Sequence, residues 1–218
     1  YEMACLVEDN LSKKKFGKYL NPIIIKENEP KKVTTKYKEE YINVTYPRLK
    51  FSIKMDMSRF KNYSSLELKI LTSLLFNINF GATSDFKDEL MEKGLIQNMN
   101  VTCDVYDDTF VVTINVTSNF KEEIIKKVKE KLENLSISEL DFKRKKNATI
   151  ATLILDYEDL ENVSYRIQDD VLNNGGIVTN LKEILEDETI DDLKNIIDLL
   201  DFDNISINVF LPKENQKE

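Results

Sequence analysis

Histidine is absent from this 218-residue sequence, and so is tryptophan. Histidine is the commonest zinc ligand and the usual acid–base group near neutral pH. Without it, and with only two distant cysteines, a conventional zinc site cannot be assembled, and a Ser-His-Asp or Cys-His arrangement is equally excluded. The two cysteines, Cys5 and Cys103, are too few for a disulfide framework and suit a reducing compartment. No apolar run reaches the roughly 18 residues needed to span a bilayer. The stretch from Tyr1 to Asn10 carries acids and lacks a basic-then-apolar signal pattern. These absences argue against a membrane and for a cytoplasmic location. The chain starts at Tyr1, not Met, and is expected to be an excised fragment with any targeting signal outside it.

A basic surplus is also missing. Lys and Arg total 31 against 39 Asp and Glu, a net charge of −8. Nucleic-acid binders present a basic face because phosphate contacts dominate their affinity. The only dense basic clusters are Lys13-Lys14-Lys15 and Lys143-Arg144-Lys145-Lys146. The second falls on a predicted helix beside acids and reads as a solvated face. Nucleic acid is therefore not an expected partner. Glycine is scarce, with five in all, and Gly175-Gly176 lacks the Gly-x-Gly-x-x-Gly or Gly-Lys-Ser/Thr pattern of a phosphate loop. That pair reads as a turn after a helix. No Asp-x-Asp-x-Asp-Gly calcium loop occurs. The sequons at Asn43, Asn115 and Asn147 are read as chance in an Asn-rich chain.

Hydrophobic residues at 41% support a continuous core. Between the breakers Asn21-Pro22 and Glu29-Pro30 lies a short apolar run, Ile23 to Ile25. Val33 to Tyr46 reads as extended. Leu49, Phe51, Ile53 and Met55 alternate with polar residues, a strand with period two. Leu66, Ile70, Leu71, Leu74 and Leu75 then recur at helical spacing, with Ser64 and Glu67 forming a capping box. Gly81 ends this helix. A shorter helix runs from Ser84 to Lys93, and Gly94 follows where a left-handed residue is wanted. Val101, Cys103 and Val105 alternate, then Phe110, Val112, Ile114 and Val116, joined through Asp107-Asp108-Thr109 as a hairpin. Amphipathic helices follow at 120–134, from Ser138 onward, and at 160–172, then two shorter ones at 181–185 and 190–200. Ile205 to Leu211 alternates as a last strand. The acidic groups Asp169-Asp170, Glu186-Asp187-Glu188 and Asp191-Asp192 are read as adjacent acids at helix starts that complement the helix dipole, not as a catalytic pair.

The order predicts an α+β fold, an elaborated βαββαβ plan with an antiparallel sheet and helices on one face. Residues 1–30 are expected to be a linker or the end of a preceding half. Residues 31–213 are expected to form one domain, and 214–218 a tail.

The segment from Phe76 to Gln97 carries more information. Leu74, Leu75, Phe76, Gly81, Ser84, Phe86, Leu90, Glu92, Lys93, Gly94 and Leu95 stand in helix, turn, short helix, Gly stop and strand order. This resembles the C-terminal half of pitrilysin/insulinase-type zinc peptidases, closest to the bacterial processing-peptidase-like branch of small paired proteins. The resemblance implies that zinc, on a His-x-x-Glu-His motif, belongs to an N-terminal half absent here. No cofactor is expected in this chain. It also implies an Arg and a Tyr that hold the substrate backbone, at the positions occupied here by Met91 and Gln97. Neither offers charge-assisted hydrogen bonds or a phenol. The implied role is a non-catalytic half that helps enclose a peptide, with the N-terminal half as partner. A related subunit would then supply the Arg and Tyr. An inactive assembly module of the same fold is the alternative. A stand-alone ferredoxin-like ligand-binding domain is a third reading.

Overall fold

The computed structural model describes residues 2–18, 30–106 and 108–213. The run Ile23–Ile25, the breakers at 21, 22 and 29, Asp107 and the tail 214–218 lie outside them. Eight α-helices and five strands are present among the described residues. α1 (Glu2–Ser12) precedes β1 (Tyr37–Ile42) and β2 (Arg48–Asp56). α2 (Ser65–Phe80), α3 (Asp85–Glu92), β3 (Asn98–Val105) and β4 (Thr109–Thr117) follow. Then come α4 (Lys121–Glu133), α5 (Glu139–Asp156), α6 (Leu160–Asn174), α7 (Leu181–Asp187), α8 (Ile190–Leu199) and β5 (Ile205–Pro212).

The sheet order is β1-β5-β2-β4-β3. Four strands, β5-β2-β4-β3, pair antiparallel, as the βαββαβ plan requires. The fold is α+β as expected, but the sheet is mixed, because β1 pairs parallel with β5, Tyr37 opposite Ile207. The cause is the short connection at 43–47. It reverses the chain between β1 and β2, while β5 inserts between them and runs antiparallel to β2. A strand antiparallel to β2 on the far side of β5 must run parallel to β5.

The alternation of β2 sorts its two faces. Leu49, Phe51, Ile53 and Met55 are buried, while Arg48 and Lys50 stay exposed. Phe110, Val112, Ile114 and Val116 of β4 join them in one core. The opposite face is polar; there Asn115 Nδ2 donates to Asn100 Oδ1 at 3.0 Å. Leu68, Leu71, Leu75, Phe76 and Phe80 of α2 fill the core against the sheet. The helix termini obey their cap residues. The Ser64–Glu67 and Thr189–Asp192 boxes both form, and Ser138 accepts the Asp141 N–H at 3.0 Å. Each such cap contributes about 1 kcal/mol. α6 extends to Asn174, two residues past the expected end, before Gly175 turns left-handed at φ 73°.

Candidate functional site

The turn between α2 and α3 is built around Gly81. A Cβ there would lie 2.3 Å from Asn77 O and 2.9 Å from its Oδ1, so any side chain would displace the last turn of α2. Ser84 is buried and holds the turn closed. Its Oγ donates to Gly81 O at 2.9 Å and accepts from Lys87 N at 3.2 Å. Phe86 packs edge-on against Phe80, ring centroids 5.6 Å apart. Asn79, buried at the end of α2, donates to Leu75 O and accepts from Ser136 N, tying this turn to the start of α5.

α3 ends in a Schellman arrangement. Leu95 N donates to Leu90 O and Gly94 N to Met91 O, both at 2.9 Å, with Gly94 at φ 66°. Leu90 and Leu95 are both buried, supplying the apolar contact that accompanies this motif. Ser118 Oγ then donates to Leu95 O at 2.6 Å, and Lys87 Nζ to Met99 O at 2.9 Å, fixing the entry to β3. Gly81, Ser84, Phe86 and Gly94 thus act together as one turn-forming unit. Met91 and Gln97 stand on either side of the Gly94 turn, both exposed. Gln97 joins the sheet only through its backbone, its N–H donating to Thr117 O at 2.8 Å.

Zinc does not fit this chain. Histidine is absent, and among the described residues no group of three Cys, Asp or Glu is placed to hold a metal ion. Among the described residues no helix is long and apolar enough to cross a membrane.

A second feature escaped the sequence. A cleft of about 1650 Å³ opens between α2, α5, α6 and the β3–β4 hairpin. Lys145, read as part of a solvated basic face, is half-buried and lines it. Lys146 also leaves that face, its Nζ donating to Glu186 O and Glu188 O. Asp170 is not at a helix start but near the end of α6, where it is buried and accepts from Val178 N at 3.0 Å. The only sequence signal for this cleft was the polar stripe Lys145-Thr149-Thr152 at helical spacing, which reads equally well as solvent-facing.

The described residues thus combine an α+β sheet, a glycine-pivoted helix–turn–helix–strand unit and no side-chain group placed to hold a metal ion. The chain belongs to the family of the peptidase M16 inactive domain, whose model matches residues 3–149. Solved structures agree in fold. An M16-like peptidase from Alicyclobacillus acidocaldarius superimposes with a TM-score of 0.83 at 17% identity, over 97% of this chain and 52% of its own. A protease from Helicobacter pylori gives 0.73 at 18% identity, with the same coverage of 97% and 52%. A peptidase M16 inactive domain from Pseudomonas fluorescens gives 0.58 at 16% identity, over 91% and 48%. The chain therefore spans about half the length of these structures. No curated protein sequence matches it.

Proposed function

We propose that this chain is the non-catalytic half of a two-half zinc-peptidase-like protein and closes one side of a chamber around a peptide. The observation that carries this reading is the match to an inactive peptidase domain together with coverage of only 52% of each of two solved chains similar in fold. Uncovered apolar surface supports it. Met3, Val7 and Leu11 fall on one face of α1, and Leu155 and Leu160 lie at the α5–α6 corner, all exposed. In this reading the open apolar face of α1 is covered by the partner half. In this reading the partner half carries the zinc, which would polarise the scissile carbonyl and lower the pKa of its bound water. This chain shapes the enclosure and excludes solvent. Its location would be cytoplasmic, and a related subunit would supply the Arg and Tyr missing at Met91 and Gln97.

The alternative, an assembly module that processes no peptide, is favoured by those same two residues, since neither can grip a peptide backbone through charge. A photo-crosslinking residue at position 91 or 97, in the protein carrying both halves, separates the two. Enclosure predicts crosslinks to a bound peptide from at least one position. Crosslinks to the partner half alone, in a protein that binds peptide, reject enclosure in favour of assembly.

A further inference from the structure

We propose that the cleft between α2, α5, α6 and the β3–β4 hairpin binds an extended peptide segment that carries apolar side chains and a carboxylate, with Lys145 as the carboxylate's anchor. All the residues that line the site belong to this chain.

Size sets the class of ligand. Small-molecule pockets occupy roughly 300–1,000 Å³. At about 1650 Å³, this cleft suits a run of residues instead. Its floor is apolar and separate from the main core. Leu153, Leu181 and Leu185 form a second buried cluster, against which Leu66 and Ile70 pack half-exposed. Tyr106 and Tyr165 stand on the rim, both exposed. Apolar side chains of a bound segment would cover Leu66 and Ile70 and complete a cluster that the chain leaves open.

Charge sets the chemistry. Lys145 is half-buried, and its ammonium has no hydrogen-bond or ion-pair partner among the described residues. Burial, and secondarily the nearby Arg144, pull its pKa below the usual lysine value. Arg166 lines the same cleft with its Nε buried and unpartnered, its guanidinium over the Tyr157 ring at 5.5 Å. Neighbouring cations are settled by contrast. Lys146 is held by two backbone carbonyls, and Lys69 lies 3.9 Å from Asp169. A cation taken partly out of water without a counter-charge is costly. An incoming carboxylate removes that cost at Lys145. Asp104, Asp108, Asp156 and Asp169 also line the cleft, so a phosphodiester chain would meet repulsion along most of its length. A peptide presenting one well-placed carboxylate would not.

The test uses the 218-residue chain and a fluorescent leucine-containing peptide that carries a single glutamate among neutral polar residues, read by anisotropy. The expected result is saturable binding that weakens at least ~10-fold when the peptide's one glutamate becomes glutamine. Lys145→Gln should weaken binding of the acidic peptide by a similar factor. Its unfolding temperature should not fall, because the ammonium makes no internal contact that the substitution would remove. Ile70→Asp, on the exposed side of the floor, should weaken both peptides. The proposal is overturned if the acidic peptide shows no saturable binding, if Lys145→Gln binds it as tightly as the parent chain, or if a single-stranded oligonucleotide competes equally well.

Discussion

Cys103 shows how far alternation along a strand can carry at the level of one side chain. Its placement between Val101 and Val105 puts it on the inward face, and it is indeed buried, whereas Cys5 on α1 is exposed. Burial, only partly offset by hydrogen bonds with Ser73 and Thr72, pushes the Cys103 thiol up to about 12. The thiolate is the reactive form. A maleimide at neutral pH should therefore modify Cys5 rapidly and leave Cys103 untouched in the native chain, as peptide mapping of the product will show. Fast modification at Cys103 would mean that β3 has slipped by one residue, which exchanges its two faces. Gly81 was legible for a different reason, since the end of an apolar period followed by glycine marks a helix stop. What the sequence withheld was its second reason, the 2.3 Å approach to Asn77 O. Lys145 was not legible at all. Its environment is assembled from α2, α6 and the hairpin, and a helical spacing of polar residues does not distinguish solvent from a cleft.

Among the elements, the joint between α7 and α8 carries a consequence for stability. Glu188 ends α7, and its carboxyl is pushed up to about 7. Burial is the main cause, followed by Asp192 of α8 and Glu67 of α2, with Asp187 adding a little and Lys146 of α5 opposing. Glu67 and Asp192 are themselves committed to capping boxes, so neither can move away. A carboxyl whose folded pKa lies above its unfolded value of 4.5 binds its proton more tightly when folded. Its contribution to stability is therefore fully present below about pH 4.5 and lost as pH rises through about 7. Glu188→Gln removes the charge and keeps the shape. Its melting temperature should exceed that of the parent chain at about pH 8, and the gap should narrow towards about pH 5. A variant less stable than the parent at the higher pH would show that the ionised carboxylate is favourable there. The strand β1 illustrates the limit of legibility at this scale. Its extended character was readable from 33–46, but its partner was not, because pairing with β5 joins residues about 170 positions apart.

For the whole molecule, the proposed enclosure raises the question of what such a half would contribute when Met91 and Gln97 offer little chemistry. The element order and the 76–97 unit were readable from sequence because each rests on local signals: caps, glycine stops and periodicity. The proposal of a second half rests on resemblance and on coverage of relatives in fold, not on any residue's environment. If the chain acts by enclosure, its contribution to turnover comes from shape and the exclusion of water, distributed over many contacts. Met91 and Gln97 then contribute almost nothing individually, since one side chain is an exposed thioether and the other an exposed neutral amide. In the protein carrying both halves, Met91→Ala and Gln97→Ala should each lower kcat/KM by far less than the ~100-fold that follows loss of a preorganised oxyanion donor. Gln97 can still donate one neutral hydrogen bond, so a change of a few-fold is compatible with enclosure. The measurement requires unfolding curves alongside the kinetics, because Met91 O accepts from Gly94 N in the turn and Gln97 N donates to Thr117 O at the entry to β3. A collapse in kcat/KM with unchanged stability would place one of these side chains on the substrate during turnover. The chain would then be a participant in the chemistry of the assembled protein, although it lacks a zinc ligand set of its own.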